Sequence, residues 1–75
     1  MHSFNSIKRR LKKYSIHWNP TRGKGSHGVF VGPDKQGIRR LYTIPASQQK
    51  EIDKVYIRGI CRRFGIDEKD LLSDK

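Results

Sequence analysis

Two kinds of hydrophobic period divide this chain, and the order in which they occur most constrains its fold. Phe4, Ile7, Leu11 and Tyr14 recur at the three- and four-residue spacing of one helix face, and so do Ile57, Ile60, Cys61 and Phe64 near the other end. Between them the pattern changes to strand-like runs. Ile16 and Trp18 alternate with Ser15 and His17, His27 to Val31 is rich in β-formers, and Ile38 to Ile44 alternates up to Pro45. In the last run Ile38, Arg40, Tyr42 and Ile44 share one face, and Arg39, Leu41 and Thr43 the other. Asn19-Pro20 and the run Gly32 to Gly37 punctuate the strands. The expected order is α-β-β-β-α, an α+β fold with a three-stranded antiparallel sheet and helices packed on one face. At 75 residues the chain is expected to form a single domain with a thin core.

Helix ends can be read from local chemistry. Asn5 or Ser6 is a candidate cap for the first helix. Asp53 is expected to cap the second, with Ile52 and Ile57 at the spacing of a hydrophobic staple. Gly65 has the place of a left-handed terminator, followed by apolar Ile66. Asp67 is expected to cap a last short turn from Glu68 to Leu72, and Ala46 to Glu51 reads as a polar connection. Gly59 lies inside the second helix, where glycine costs about 1 kcal/mol relative to alanine, and a close helix–sheet contact would explain it.

Charge narrows the function. Lys and Arg number 17 against 7 Asp and Glu, a net charge of +10. Four of the acids (Asp67, Glu68, Asp70 and Asp74) fall in the last nine residues, leaving 15 basic against 3 acidic side chains on the first 66. Self-repulsion in so basic a body calls for a polyanionic partner. No apolar run approaches the ~20 residues of a membrane span, and no apolar stretch follows the basic N-terminal residues as in a secretory leader. A membrane partner is therefore not expected. The single cysteine, Cys61, falls at a core position, which fits a reducing cytoplasm.

Chemistry concentrates in one segment. His2, His17 and His27 have no spacing suited to a shared metal, and neither metal nor cofactor is expected. His27, however, follows the basic, glycine-rich loop Thr21-Arg22-Gly23-Lys24-Gly25 and starts a strand. Loop amides with Arg22 or Lys24 could hold a phosphate beside its ring. An imidazole there could take the proton of a ribose 2′-hydroxyl, an internal nucleophile next to a phosphodiester. Arg9, Arg10, Lys12 and Lys13 on the first helix, and Arg58, Arg62 and Arg63 on the second, are candidate phosphate contacts, which add affinity without reading sequence. Trp18 and Tyr42 could stack on bases or pack in the sheet.

The run Arg22-Gly23-Lys24-Gly25-Ser26-His27-Gly28-Val29-Phe30 after Trp18, then Thr43-Ile44-Pro45, then Ile57-Arg58-Gly59-Ile60-Cys61-Arg62-Arg63-Phe64-Gly65-Ile66, resembles the HicA family of mRNA interferase toxins. The resemblance spans roughly residues 7 to 72, with Gly25-Ser26-His27 and Phe30 as its sharpest element. It implies a fold like that of double-stranded RNA-binding domains. It also implies metal-independent cleavage of mRNA with His27 as the essential histidine, and an antitoxin partner of the HicB type that covers the active surface. Gly25 and Ser26 are implied in the RNA site with Arg22 and Lys24. Many members have a second histidine or another larger residue where this chain has Gly28. Two other functions fit the same surface: a non-catalytic RNA-binding module, and a protein that uses its charge to bind an acidic partner.

Overall fold

The structure is a computed structural model and describes residues 2–20 and 27–73. Strand β1 (His2–Ser3) leads into helix α1 (Phe4–Leu11), which tightens into a 3-10 turn over Lys12–Tyr14. Strands β2 (His17–Pro20), β3 (Gly28–Pro33) and β4 (Arg39–Ile44) follow, then a 3-10 turn over Ala46–Gln48 and strand β5 (Glu51–Ile52). Helices α2 (Lys54–Phe64) and α3 (Glu68–Leu72) complete the described chain. The order β2-β3-β4 forms an antiparallel sheet, so the expected α+β architecture holds.

Register explains how alternation becomes a core. Trp18 pairs with Phe30, and Phe30 with Tyr42, so one row of rings crosses the sheet on a single face. The row beside it, His17–Val31–Leu41, lies on the opposite face, where Leu41 is 54% exposed. The ring face meets the helices. Phe30 and Ile44 from the sheet, and Ile16 just before β2, are fully buried with Ile7 and Leu11 of α1 and with Ile57 and Ile60 of α2. Phe4 joins them, its ring 4.8 Å from Trp18 and 5.7 Å from Phe30. Each large apolar side chain buried in this way contributes about 1.5–3 kcal/mol before chain entropy is counted.

Several boundaries differ from expectation. The cap of α1 is Ser3, whose hydroxyl accepts from the Ser6 amide at 3.4 Å, not Asn5 or Ser6. The helix starts earlier because Phe4 must turn inward with Ile7 and Leu11. The polar connection at 46–51 ends in a short ladder: His2 pairs with Ile52 and Ser3 with Glu51. Two-residue strands carry no period of their own, so only their meeting in space reveals them. Pairing also continues through Pro20, opposite Gly28, and through Pro33, opposite Arg39.

The other caps agree with the sequence. Asp53 accepts from the Lys54 amide at 3.0 Å, and the staple residues Ile52 and Ile57 are both fully buried. Gly65 is left-handed at φ 70°, and the Ile66 amide closes on the Cys61 carbonyl at 2.9 Å. Asp67 caps α3 through the Lys69 amide.

Candidate nucleic-acid interface

The β3–β4 turn is organised by one carboxylate. Asp34 accepts from the amides of Gln36 at 2.8 Å and Ile38 at 2.9 Å, and from Arg40 Nε at 2.9 Å. The guanidinium of Arg40, together with those amides, holds the Asp34 carboxyl below its ordinary value of 3.8. Asp53 and Asp67 are likewise engaged in caps. Of the three acids in the first 66 residues, Asp34 organises this turn and Asp53 caps α2, while Glu51 is exposed on β5.

His27 is exposed and immediately precedes β3. Its neighbour Gly28 is buried beneath Trp18: a Cβ there would lie 2.1 Å from Cζ2 and 2.3 Å from Cη2 of the indole. The indole is itself held edge-on against Phe4 and Phe30. The backbone on the C-terminal side of His27 is thus fixed in the sheet, with a large ring closing over it. The residues expected on the N-terminal side of His27, namely Arg22, Lys24, Gly25 and Ser26, lie outside the described residues.

The helix cations separate into different environments. Arg9 and Lys13 are exposed on α1 and the turn after it. Arg10 instead points back into the fold. It donates to Ser6 Oγ at 3.2 Å, to the Leu71 carbonyl at 3.1 Å and to the Ser73 carbonyl. These bonds tie α1 to the C-terminal end of α3, where carbonyls lack helical partners. Arg58 stands 3.8 Å from Glu68, in a mixed-charge surface with Lys54 and Lys69. Arg62 is exposed and lines a cleft of about 390 Å³ with Arg40, Tyr42, Gly59 and Arg63.

Of that cleft, sequence alone offers Arg62 and Arg63 as candidate phosphate contacts but does not separate Arg40 from the general charge. Arg40 lies on β4 and Arg63 on α2, and only the packing of strand on helix brings them to one place. The strand register separates them from the histidine, since Arg40 pairs with Gly32, five residues beyond His27 and so about 17 Å along β3.

His17 is exposed on β2, and among the described residues no three His, Cys, Asp or Glu side chains gather as a metal site. Among the described residues no helix is long and apolar enough to cross a membrane. Cys61 is buried, and its burial, with smaller contributions from Glu68 and Asp67, pushes the thiol up to about 11.

Residues 6–66 match the model of the HicA toxin of bacterial toxin-antitoxin systems. No curated protein and no solved structure matches the chain. The matched stretch includes α1 from Ser6 onward, all three strands of the large sheet, His27 and α2, and on that ground the chain belongs to the HicA family of toxins, the toxin half of a toxin–antitoxin pair.

Proposed function

We propose that this toxin acts as a metal-independent endoribonuclease that cuts mRNA, with His27 as general acid and base. The observation that carries the proposal is the placement of His27. It is exposed at the start of β3, follows the cationic segment of Arg22 and Lys24 in sequence, and precedes a backbone clamped beneath Trp18. A firm mount matters because proton transfer falls off steeply with misplacement of the acid or base.

In the proposed reaction His27 removes the proton of a ribose 2′-hydroxyl. The 2′ oxygen attacks the adjacent phosphorus, the bond to the 5′ oxygen breaks, and a 2′,3′-cyclic phosphate forms while the 5′ oxygen takes up a proton, from the imidazolium of His27 or from water, and leaves as a 5′-hydroxyl. Arg22 and Lys24, with the amides of Gly25 and Ser26, stabilise the charge on the crowded phosphate. Arg9, Lys13, Arg58 and Arg62 hold the strand by its phosphates. The three bonds of Arg10 support a role in the fold ahead of one in binding. An antitoxin of the HicB type would silence the protein by covering the His27 surface, and the reaction takes place in the cytoplasm.

Induced expression of the wild type beside His27→Ala tests this reading. The wild type should arrest growth and deplete bulk mRNA, and the variant should do neither while accumulating as folded protein. Arrest and mRNA loss by the variant equal to those of the wild type would sink the histidine mechanism, and RNA binding with no arrest by either protein would leave the non-catalytic RNA-binding module as the better account.

A further inference from the structure

Position 59 sits inside α2, where glycine weakens a helix, yet a side chain there has no room. A Cβ would lie 2.0 Å from the hydroxyl oxygen of Tyr42 and 2.7 Å from its Cζ. The glycine lets the Tyr42 ring reach across the helix, so its phenol ends on the floor of the cleft between β4 and α2. Around that hydroxyl stand Arg40 from the strand and Arg62 and Arg63 from the helix. Among the described residues the lining contains three guanidinium groups and no carboxylate.

The arginines have local explanations that fall short of the whole arrangement. Arg62 and Arg63 lie in the last turn of α2 and complement its dipole. That does not account for a third guanidinium from another element, nor for a hydroxyl brought in at the expense of helix propensity. Arg40 uses Nε on Asp34, a bond that fixes the direction of its fork. Neither Arg62 nor Arg63 has an acidic partner among the described residues.

We infer that the Arg40–Tyr42–Arg62–Arg63 cleft is a second phosphate-binding site, which holds the RNA backbone at a phosphate distinct from the one cut at His27. This rests on the reading of the protein as an RNA-cleaving enzyme. Guanidinium forks match phosphate geometry, and a phenol adds a neutral donor. A carboxylate of a protein partner could also meet an arginine. The Tyr42 ring, however, is the one large apolar group among the cleft's described lining residues. The centre of a protein interface, by contrast, is depleted of charge and enriched in apolar anchors. Along β3 the cleft runs from the level of Phe30, opposite Tyr42, to that of Gly32, opposite Arg40, about 10 to 17 Å beyond His27 and too far for one phosphate to serve both. The cleft therefore sets which stretch of a bound strand lies at the histidine.

The test uses the full chain and the double variant Arg62→Gln/Arg63→Gln, both positions being exposed, on a His27→Ala background so that RNA survives titration. Binding of a labelled single-stranded RNA 12-mer is followed over a series of salt concentrations. The double variant should lower affinity about tenfold at moderate salt and reduce the slope of log K against log salt by roughly 0.7, the change expected when one phosphate contact on a single strand is lost. Tyr42→Phe should weaken binding about threefold without changing the slope. An unchanged slope in the double variant overturns the cleft while leaving RNA binding elsewhere intact. Pyrophosphate and an acidic peptide serve as competitors. If wild-type protein binds pyrophosphate in the cleft but no RNA, the site takes free phosphate compounds and both readings fall. If the peptide displaces RNA from His27→Ala protein with the cleft intact but not from the double variant, and does so at lower concentration than unlabelled RNA, the cleft is a protein-docking site and the proposal is overturned.

Discussion

The indole of Trp18 occupies the space that a side chain at position 28 would need, leaving 2.1 Å between its Cζ2 and any Cβ built there. The two residues lie diagonally across the β2–β3 ladder, since Trp18 pairs with Phe30 and Gly28 with Pro20. The ring cannot retreat easily because Phe4 and Phe30 hold it at centroid distances of 4.8 and 4.9 Å. Gly28 is thus matched to a tryptophan on the neighbouring strand. Gly28→Ala should destabilise the domain by about 1–3 kcal/mol through overpacking. Urea denaturation should show that Trp18→Leu recovers at least half of that loss, a coupling that independent sites would lack.

Arg9 and Arg10 are adjacent in sequence but differ in surroundings, Arg9 being exposed and Arg10 bonded to the end of α3. Arg10→Gln should cost about 1–2 kcal/mol of stability, because its charged hydrogen bonds to the end of α3 are lost. It should leave the salt slope of RNA binding nearly unchanged. Arg9→Gln should leave thermal stability within about 0.5 kcal/mol and lower the slope by about 0.7. Equal slope changes in the two variants would contradict this division.

The thiol of Cys61 is buried and its pKa is raised to about 11, so it stays protonated near neutrality. Alkylation by iodoacetamide should be slow in the native protein and accelerate with the fraction unfolded as urea is added. The sign for stability follows from the unfolded thiol titrating near 9.0. Its contribution is complete below about pH 9 and declines as pH rises through 11, and Cys61→Ala should flatten that alkaline decline.

At the acid end the relevant group is Asp34. Its carboxyl is held below 3.8 by Arg40 and two amides, so its contribution is present above that value and is lost as pH falls through the lower native one. Asp34→Asn should flatten the loss of stability below about pH 4. It should also raise hydrogen exchange at Gln36 and Ile38, whose amides donate to that carboxylate.

Where a feature depends on local period or capping chemistry, the sequence shows it. The stripe of α1, the β3 and β4 runs, the Asp53 cap and the Gly65 terminator are of this kind. The α1 cap escapes a local reading because Ser3, Asn5 and Ser6 are all good capping residues, and the inward turn of Phe4 selects among them. The reasons for Gly28 and Gly59 lie across space, in Trp18 and Tyr42, and local sequence patterns do not reveal them. The cation cleft is hidden for the same reason: Arg40 and Arg63 are 23 positions apart and meet only when α2 packs on β4. Arg10, conversely, looks like any other surface cation until the carbonyls of α3 arrive beside it.

The most direct measurement incubates purified wild type and His27→Ala with a defined RNA in EDTA and resolves the products. The wild type should produce fragments ending in 2′,3′-cyclic phosphate, and His27→Ala should bind the same RNA with unchanged affinity and leave it whole. Cleavage by His27→Ala at the wild-type rate, with identical ends, would contradict the assignment of the reaction to His27.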